Sequence, residues 1–320
     1  MTTYRWFCEL VSEWSRCFVP VSLLNMGQNK SGSLTQIEWP TVLLIAVCYG
    51  AWALAMWTLP LWAGITVAAL AIALHTSLQH EVIHGHPFRR EWLNDLLIWP
   101  PLVLFIPYVR YKATHLAHHH DEVITDPFDD PESNYLDAGV WGYLPLPAQA
   151  VLQANNTIAG RLTVGPLIGT ISFAICEWRK RDAQVLWGWL VHLPAVTVVI
   201  GVVIISPMPL WAYMIAAYTA MSILKLRTFL EHQAHERASG RSVIVEKGGI
   251  FALLFLNNNL HVVHHMHPRV AWYDLPALYQ SRKDHFLRRN GGYYFTSYRA
   301  VISKYFWKAK DPVAHPLWRR

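Results

Sequence analysis

Seventeen histidines stand in this chain of 320 residues, and most of them fall into four groups. His75, His80, His84 and His86 lie in HTSLQHEVIHGH, and His115, His118, His119 and His120 in HLAHHH. His232 and His235 lie in EHQAH, and His261, His264, His265 and His267 in HVVHHMH. His192, His285 and His315 stand alone. Side chains at i, i+3 and i+4 share one helix face. His115/His118/His119 and His261/His264/His265 have that spacing and His80/His84 are i, i+4, so each cluster is expected to present two or three imidazoles in one direction. A lone histidine is usually a satisfied polar residue. Repeated clusters with matching spacing read as metal ligands.

Imidazole suits zinc, copper, iron and nickel rather than magnesium or calcium. One zinc takes three or four protein ligands, whereas eight histidines here have ligand spacing and His232 or His235 offers a ninth. That supply fits two metal ions, and a nitrogen-rich pair of irons that activates O2 is its natural use. His80–His84 also reads HEVIH, the H-E-x-x-H pattern in which two histidines bind zinc and the glutamate, Glu81, activates water for peptide hydrolysis. An intramembrane zinc protease is therefore a more remote alternative, and it leaves both H-x-x-H-H runs unexplained. A haem between paired histidines would want ligands at similar depth, and only His192 lies deep in an apolar run.

The elements that must hold these groups are set by where charge is missing. Trp39–His80 and Ala183–Leu224 are each 42 residues without Asp, Glu, Lys or Arg. A membrane-spanning helix needs about 20 apolar residues, so each run is two spans long. Each breaks near its middle, at Pro60 and at Ser206–Pro209, as a helical hairpin would. Spans are expected near 41–59, 61–79, 185–205 and 209–226. Leu96–Val109, with three prolines, and Leu162–Cys176 are too short to cross and are expected as interfacial helices. The fold class is thus an all-α integral membrane protein with four transmembrane helices in two hairpins, interfacial helices and a cytoplasmic helical cap.

With four spans, residues 1–38, 81–182 and 227–320 share one face and hold every Lys and Arg but Lys225, at the end of the fourth expected span. The positive-inside rule makes that face cytoplasmic, so both termini and all four histidine groups are expected there. The chain reads as one domain: an N-terminal segment 1–40, hairpin 41–79, a cytoplasmic and interfacial stretch 81–182, hairpin 183–226 and a cap 227–320. Apolar residues make up 53% and charged residues 15%, against about 25% charged in an ordinary soluble domain. Sixteen tryptophans and fourteen tyrosines suit the membrane–water interface. A net charge of +6 fits anionic lipid heads, and no nucleic-acid surface is legible. Cys8, Cys17, Cys48 and Cys176 show neither metal spacing nor pairing. Glu9, Glu13 and Arg16 interrupt the apolar core that a cleaved signal peptide would need. No phosphate loop or dinucleotide fingerprint is present.

HEVIH, HLAHH and HVVHH, in that order around two hydrophobic hairpins, resemble the three histidine boxes of the integral-membrane fatty acid desaturase and hydroxylase superfamily, over roughly residues 41–275. The resemblance implies O2-dependent desaturation of a fatty acyl chain by two iron ions on the cytoplasmic side. Hydroxylation or ketolation of a lipid, carotenoid or alkane on the same scaffold is the alternative. The ligands it implies are His80, His84, His115, His118, His119, His261, His264 and His265. A further ligand between the last span and the third box falls on His232 or His235, and a helical turn past the span end favours His235. No cytochrome b5 module is legible, so the resemblance implies a separate electron donor such as a ferredoxin or cytochrome b5, with an acyl lipid or acyl carrier as substrate.

Around the boxes, His86, His120 and His267 read equally as outer partners, additional ligands or surface residues. Second-shell acceptors orient ligating imidazoles through the remaining N–H, and Glu81, Glu231, Asp121 and Asp126 are adjacent. Asp129 and Asp130 read as a solvated acidic loop. Asn257, four before His261, reads as a holder of metal-bound water or as a helix cap. Arg110, Lys112 and their basic neighbours read as contacts to lipid phosphates or as a solvated rim.

Overall fold

The computed structural model describes residues 37–120, 122–180 and 182–318. Asp121, Arg181, Cys8 and Cys17 lie outside them, as does most of the N-terminal segment 1–40. Two pairs of long helices dominate: α1 (Trp39–Trp57) with α2 (Leu61–Ile83), then, after six shorter helices, α9 (Ala183–Ile205) with α10 (Leu210–Thr228). Proline sets the boundaries. Pro40 sits in the first turn of α1, where its missing N–H costs nothing. Pro60 and Pro209 occupy the N-caps of α2 and α10, placing both turns where the charge-free runs break.

Among the described residues three helices, α1, α2 and α9, are long and apolar enough to cross a membrane. The fourth expected span, α10, has the 19-residue length, but Tyr213, Tyr218, Ser222, Lys225 and Arg227 dilute its apolar character. The pairing also departs from two equal hairpins. α10 packs along α2 and makes only slight contact with α9, which leans on α4 (Tyr108–His118) instead. Small residues permit this approach. Ala68, Ala69 and Ala73 of α2 and Ala212, Ala216 and Ala220 of α10 are buried in one core, and a Cβ on Gly64 would lie 2.8 Å from the Ala55 carbonyl of α1. Close backbone approach at small side chains is how helices associate where no hydrophobic drive separates them from lipid.

The stretch 96–109 is not the interfacial helix its apolar run suggests. Helix α3 (Glu91–Ile98) ends there, Pro100, Pro101 and Pro107 prevent a helix from continuing, and α4 starts at Tyr108. Leu102, Val103 and Leu104 instead enter the core among the long helices. Their carbonyls are met from outside: Tyr213 Oη donates to Leu102 O (2.7 Å) and His192 Nε2–H to Leu104 O (2.9 Å). His192 is thus a backbone donor. By contrast, 162–176 falls largely in α8 (Gly165–Lys180), a 16-residue helix with Leu167, Ile171 and Trp178 exposed, preceded by α5 (Ala138–Tyr143), α6 (Leu146–Asn155) and α7 (Ile158–Thr163).

Beyond α10 the described residues form two short strands and five short α-helices. Strand β1 (Ile244–Lys247) pairs in parallel with β2 (Tyr294–Ser297), Ile244 opposite Tyr294. Between them lie α11 (Ile250–Leu254), α12 (His261–Met266), α13 (Leu275–Ser281) and α14 (Lys283–Arg289); α15 (Tyr298–Tyr305) follows. Phe229, Leu230, Val243, Val245, Phe255 and Tyr293 are buried together in one core.

Candidate metal centre

The ends of α2, α4, α10 and α12 meet, and nine imidazoles converge in two groups. His80, His84, His115, His119 and His264 form one; His118, His232, His261 and His265 form the other. Within each group the nearest ligand atoms all lie within 4.8 Å of one another. All eight box histidines are among the nine.

The boxes do not each face one way. On α4, His115 and His119, one turn apart, join the first group while His118 points to the second. On α12 the i, i+4 pair His261 and His265 joins the second group, and His264 turns to the first. An H-x-x-H-H box can therefore face two centres, because at 3.6 residues per turn its i+3 member is rotated about 60° from the i residue and about 100° from the i+4 residue.

The ninth position is His232, and His235 stands apart. The expectation for His235 assumed that α10 continues by a turn, but the helix ends at Thr228 and His232 lies in extended chain bridged to Ser242. Three residues further along an extended chain, a side chain faces the other way. His235 folds onto its own turn: Nδ1 accepts from the Arg237 amide at 3.0 Å and the ring lies against Gly240.

The remaining ring nitrogens decide the tautomers. Carboxylates only accept, so His115 Nδ1–H donates to Glu132 Oε1 (2.9 Å) and His118 Nδ1–H to Asp130 Oδ1 (2.7 Å). His261 Nδ1–H donates to Asn258 Oδ1 (3.0 Å), whose Nδ2 donates to Glu231 Oε1 (2.7 Å); Arg227 pairs with that carboxylate at 2.8 Å. Each of these rings then aims an Nε2 lone pair inward. The inward nitrogens lie close together: His84–His115 3.1 Å, His115–His119 3.0 Å, His119–His264 3.2 Å, and in the second group His118–His232 2.9 Å, His232–His261 3.0 Å, His261–His265 3.1 Å. With all three rings in the neutral, metal-binding form, one proton on His232 Nε2 cannot serve both the His118 and the His261 lone pairs. His80 Nε2 is buried with no hydrogen-bond partner among the described residues. An all-imidazole set with converging lone pairs and an orphaned inner nitrogen is what a pair of nitrogen-preferring cations requires, so the residues fit two metal ions.

Electrostatics agrees. Burial, with the neighbouring imidazoles adding, holds His84, His119, His232, His261 and His264 well below the usual histidine range, in the neutral form that binds metal. His118 differs: burial pulls it down, but the Asp130 and Glu132 carboxylates outweigh this and raise it to about 9. Burial alone would raise Glu132, yet His118 and His115 hold it well below the carboxylate range.

The surrounding residues correct several expectations. Asp130, read as solvated, is 5% exposed and also accepts from the Thr125 amide at 2.8 Å. Asp126 instead caps its own loop, accepting from the amides of Phe128 and Asp129. Asn257 does not share a face with His261, because Leu256 and Asn257 are left-handed and α12 begins only at His261; its Nδ2 donates to Trp272 O. Asn258 takes the orienting place. Glu81 turns away from His80 and His84, accepting from the Trp272 amide at 2.9 Å and lying 3.7 Å from His86 Nε2. His86 Nδ1 pairs with Glu38 at 2.6 Å, His120 is exposed, and His267 packs near Phe286. Arg110 is buried against Glu177 and Lys112 is paired with Glu91 and Asp95, so neither is a loose lipid contact. Sequence reasoning missed Glu132 and Asn258 as orienting groups; an acidic run just past the second box, beside imidazoles that need acceptors, was the available signal.

Comparison with curated proteins finds no match. A family model described as fatty acid desaturase matches residues 55–298, which is 244 of the 320 residues and includes all nine converging histidines. With two imidazole groups fit for metal, three helices able to cross a membrane and this match, the chain is a membrane protein that belongs to the fatty acid desaturase family.

Proposed function

We propose that this protein inserts a double bond into a fatty acyl chain at the expense of O2, using two iron ions held by nine histidines. The observation that carries the reading is the division of the nine into groups of five and four, each converging on one point. His80, His84, His115, His119 and His264 would hold one ion, and His118, His232, His261 and His265 the other. Reduced iron supplies the O2 activation needed to break an unactivated C–H bond. The overall change is balanced: –CH2–CH2– + O2 + 2 e⁻ + 2 H⁺ gives –CH=CH– + 2 H2O, so electrons come from a separate donor of the ferredoxin or cytochrome b5 kind.

The chain's own work is orientation. Glu132, Asp130 and Asn258 keep the protons of His115, His118 and His261 on Nδ1 and their Nε2 atoms directed inward. Buried, neutral imidazoles exclude water and stay available as ligands. Placement in the membrane completes the reading: α10 acts as a fourth span beside α2, the histidine groups and both termini lie on the cytoplasmic side, and residues 1–320 work as a single unit. The zinc-protease alternative requires Glu81 at the metal, and its carboxylate is turned to Trp272 and His86.

Metal analysis and lipid profiling test the proposal together. Purified protein should contain about two irons per chain, and a host expressing it should gain unsaturated acyl chains. One zinc and no iron would overturn the metal assignment. Hydroxylated products without new double bonds would move the reaction to hydroxylation on the same scaffold.

A further inference from the structure

Eight of the nine converging histidines stand on a helix or at its C-cap, where neighbouring turns fix the backbone. His232 does not. Its segment is fixed on one side by ladder bonds, Val243 N–H to Glu231 O and Gln233 N–H to Arg241 O. The His232 carbonyl is held by a residue from the far end of the chain: Lys310 Nζ donates to it at 2.8 Å.

That lysine is fully engaged. Its side chain is 9% exposed, and its other contacts are Tyr293 Oη at 3.1 Å and Asp311 Oδ2 at 2.5 Å. Three donors on an ammonium meet three acceptors. Tyr293 Oη accepts from the lysine and donates to Leu230 O at 2.7 Å, so the carbonyls on either side of Glu231 are gripped by one Lys–Tyr unit. The stretch carrying Lys310 is itself anchored: Lys310 N–H to Asn156 O (2.9 Å), Asn156 Nδ2 to Asp311 O (3.1 Å), and Leu136 and His315 paired through Leu136 N–H to Val313 O and His315 N–H to Leu136 O. Lys310, Asp311, Val313 and His315 lie past residue 298, where the family match ends.

We propose that Lys310, with Tyr293, is a positioning residue for the four-histidine metal site, and that the segment 306–315 is a strap that sets His232 in place. The inference rests on the ligand set proposed above. An ammonium suits the task because it binds three differently directed oxygens, which a neutral isostere cannot do. Leaving the His232 carbonyl and the Tyr293 and Asp311 oxygens without their shared donor frees the only ligand that no helix holds. The loss should therefore fall on one metal site and spare the other.

Co²⁺ titration of the metal-free full-length protein, followed by calorimetry, reads this without turnover. The wild type should take up two equivalents. Lys310→Met should weaken one at least tenfold and leave the other within about twofold, matching the single-site loss in His232→Ala; Lys308→Met, on the same segment and exposed, should leave both unchanged. A Lys310→Met protein that binds both equivalents as the wild type does overturns the strap alone. A wild type that takes up fewer than two overturns the nine-histidine set and the strap with it. Should Lys310→Met fail to accumulate, Tyr293→Phe decides on the same readout: weakening confined to one site supports the strap, and unchanged binding overturns it.

Discussion

The two imidazole groups share helices α4 and α12 yet are built differently. In the proposed ligand set, the five-histidine group takes every ligand from a helix or a helix end and, among the described residues, has one carboxylate, Glu132, on its outer nitrogens. The four-histidine group has a ligand in extended chain and more support behind it: Asp130 on His118, Asn258 with Glu231 and Arg227 on His261, and Ser242 Oγ 3.3 Å from His232 Nδ1. The difference teaches that ligand number and outer support compensate. A site with an extra helical ligand needs little orientation, whereas a site one ligand short depends on the residues behind each ring.

The largest effect expected from that contrast is removal of a ligand. His232→Ala should cost one metal per chain and at least ~100-fold in product formation. His84→Ala removes one of five, and should retain both metals at saturating iron; elemental analysis separates the two. Next come the acceptors. Loss of such an outer partner typically costs about 10–100-fold in metal affinity, so Asp130→Asn should weaken the four-histidine site toward the upper end and Glu132→Gln the other site toward the lower end, read by metal titration. Equal effects would break the comparison.

Asn258→Ala should act more mildly, about tenfold on the same titration, because it removes one neutral acceptor while Arg227 still pairs with the buried Glu231 carboxylate. The smallest effects belong to residues that stand apart. His235→Ala and Glu81→Gln should each change metal content and product yield by less than about twofold; a large loss in either would bring that residue back to the centre.

The parts legible in the sequence were those whose signal is local. Box spacing, the charge-free runs and their proline breaks are written in neighbouring residues, and they located eight of the nine converging imidazoles and the long helices. What stayed hidden depended on where a helix stops. His232 and His235 differ only in whether the chain past Thr228 stays helical, and the bridge to Ser242, ten residues on, decides that. Asn257 and Asn258 exchange roles because two left-handed residues precede α12. Asp130 and Asp126 belong to one acidic loop, and only its fold buries the first beneath His118. The run 96–109 is apolar enough for a helix, but its prolines leave backbone groups that residues 192 and 213 must satisfy.

That last arrangement constrains the order in which the molecule can be made. The carbonyls of Leu102 and Leu104 sit in an apolar interior, and their donors, Tyr213 and His192, are translated about 90 to 110 residues later. Until α9 and α10 arrive, each carbonyl would be left unpaired at a cost of about 1–3 kcal/mol, so the segment must wait near water while synthesis continues. Box two, which follows immediately on α4, waits with it. The proposed metal sites would thus be assembled late: the second half of the chain seats the first half before any ion could find its full set of ligands.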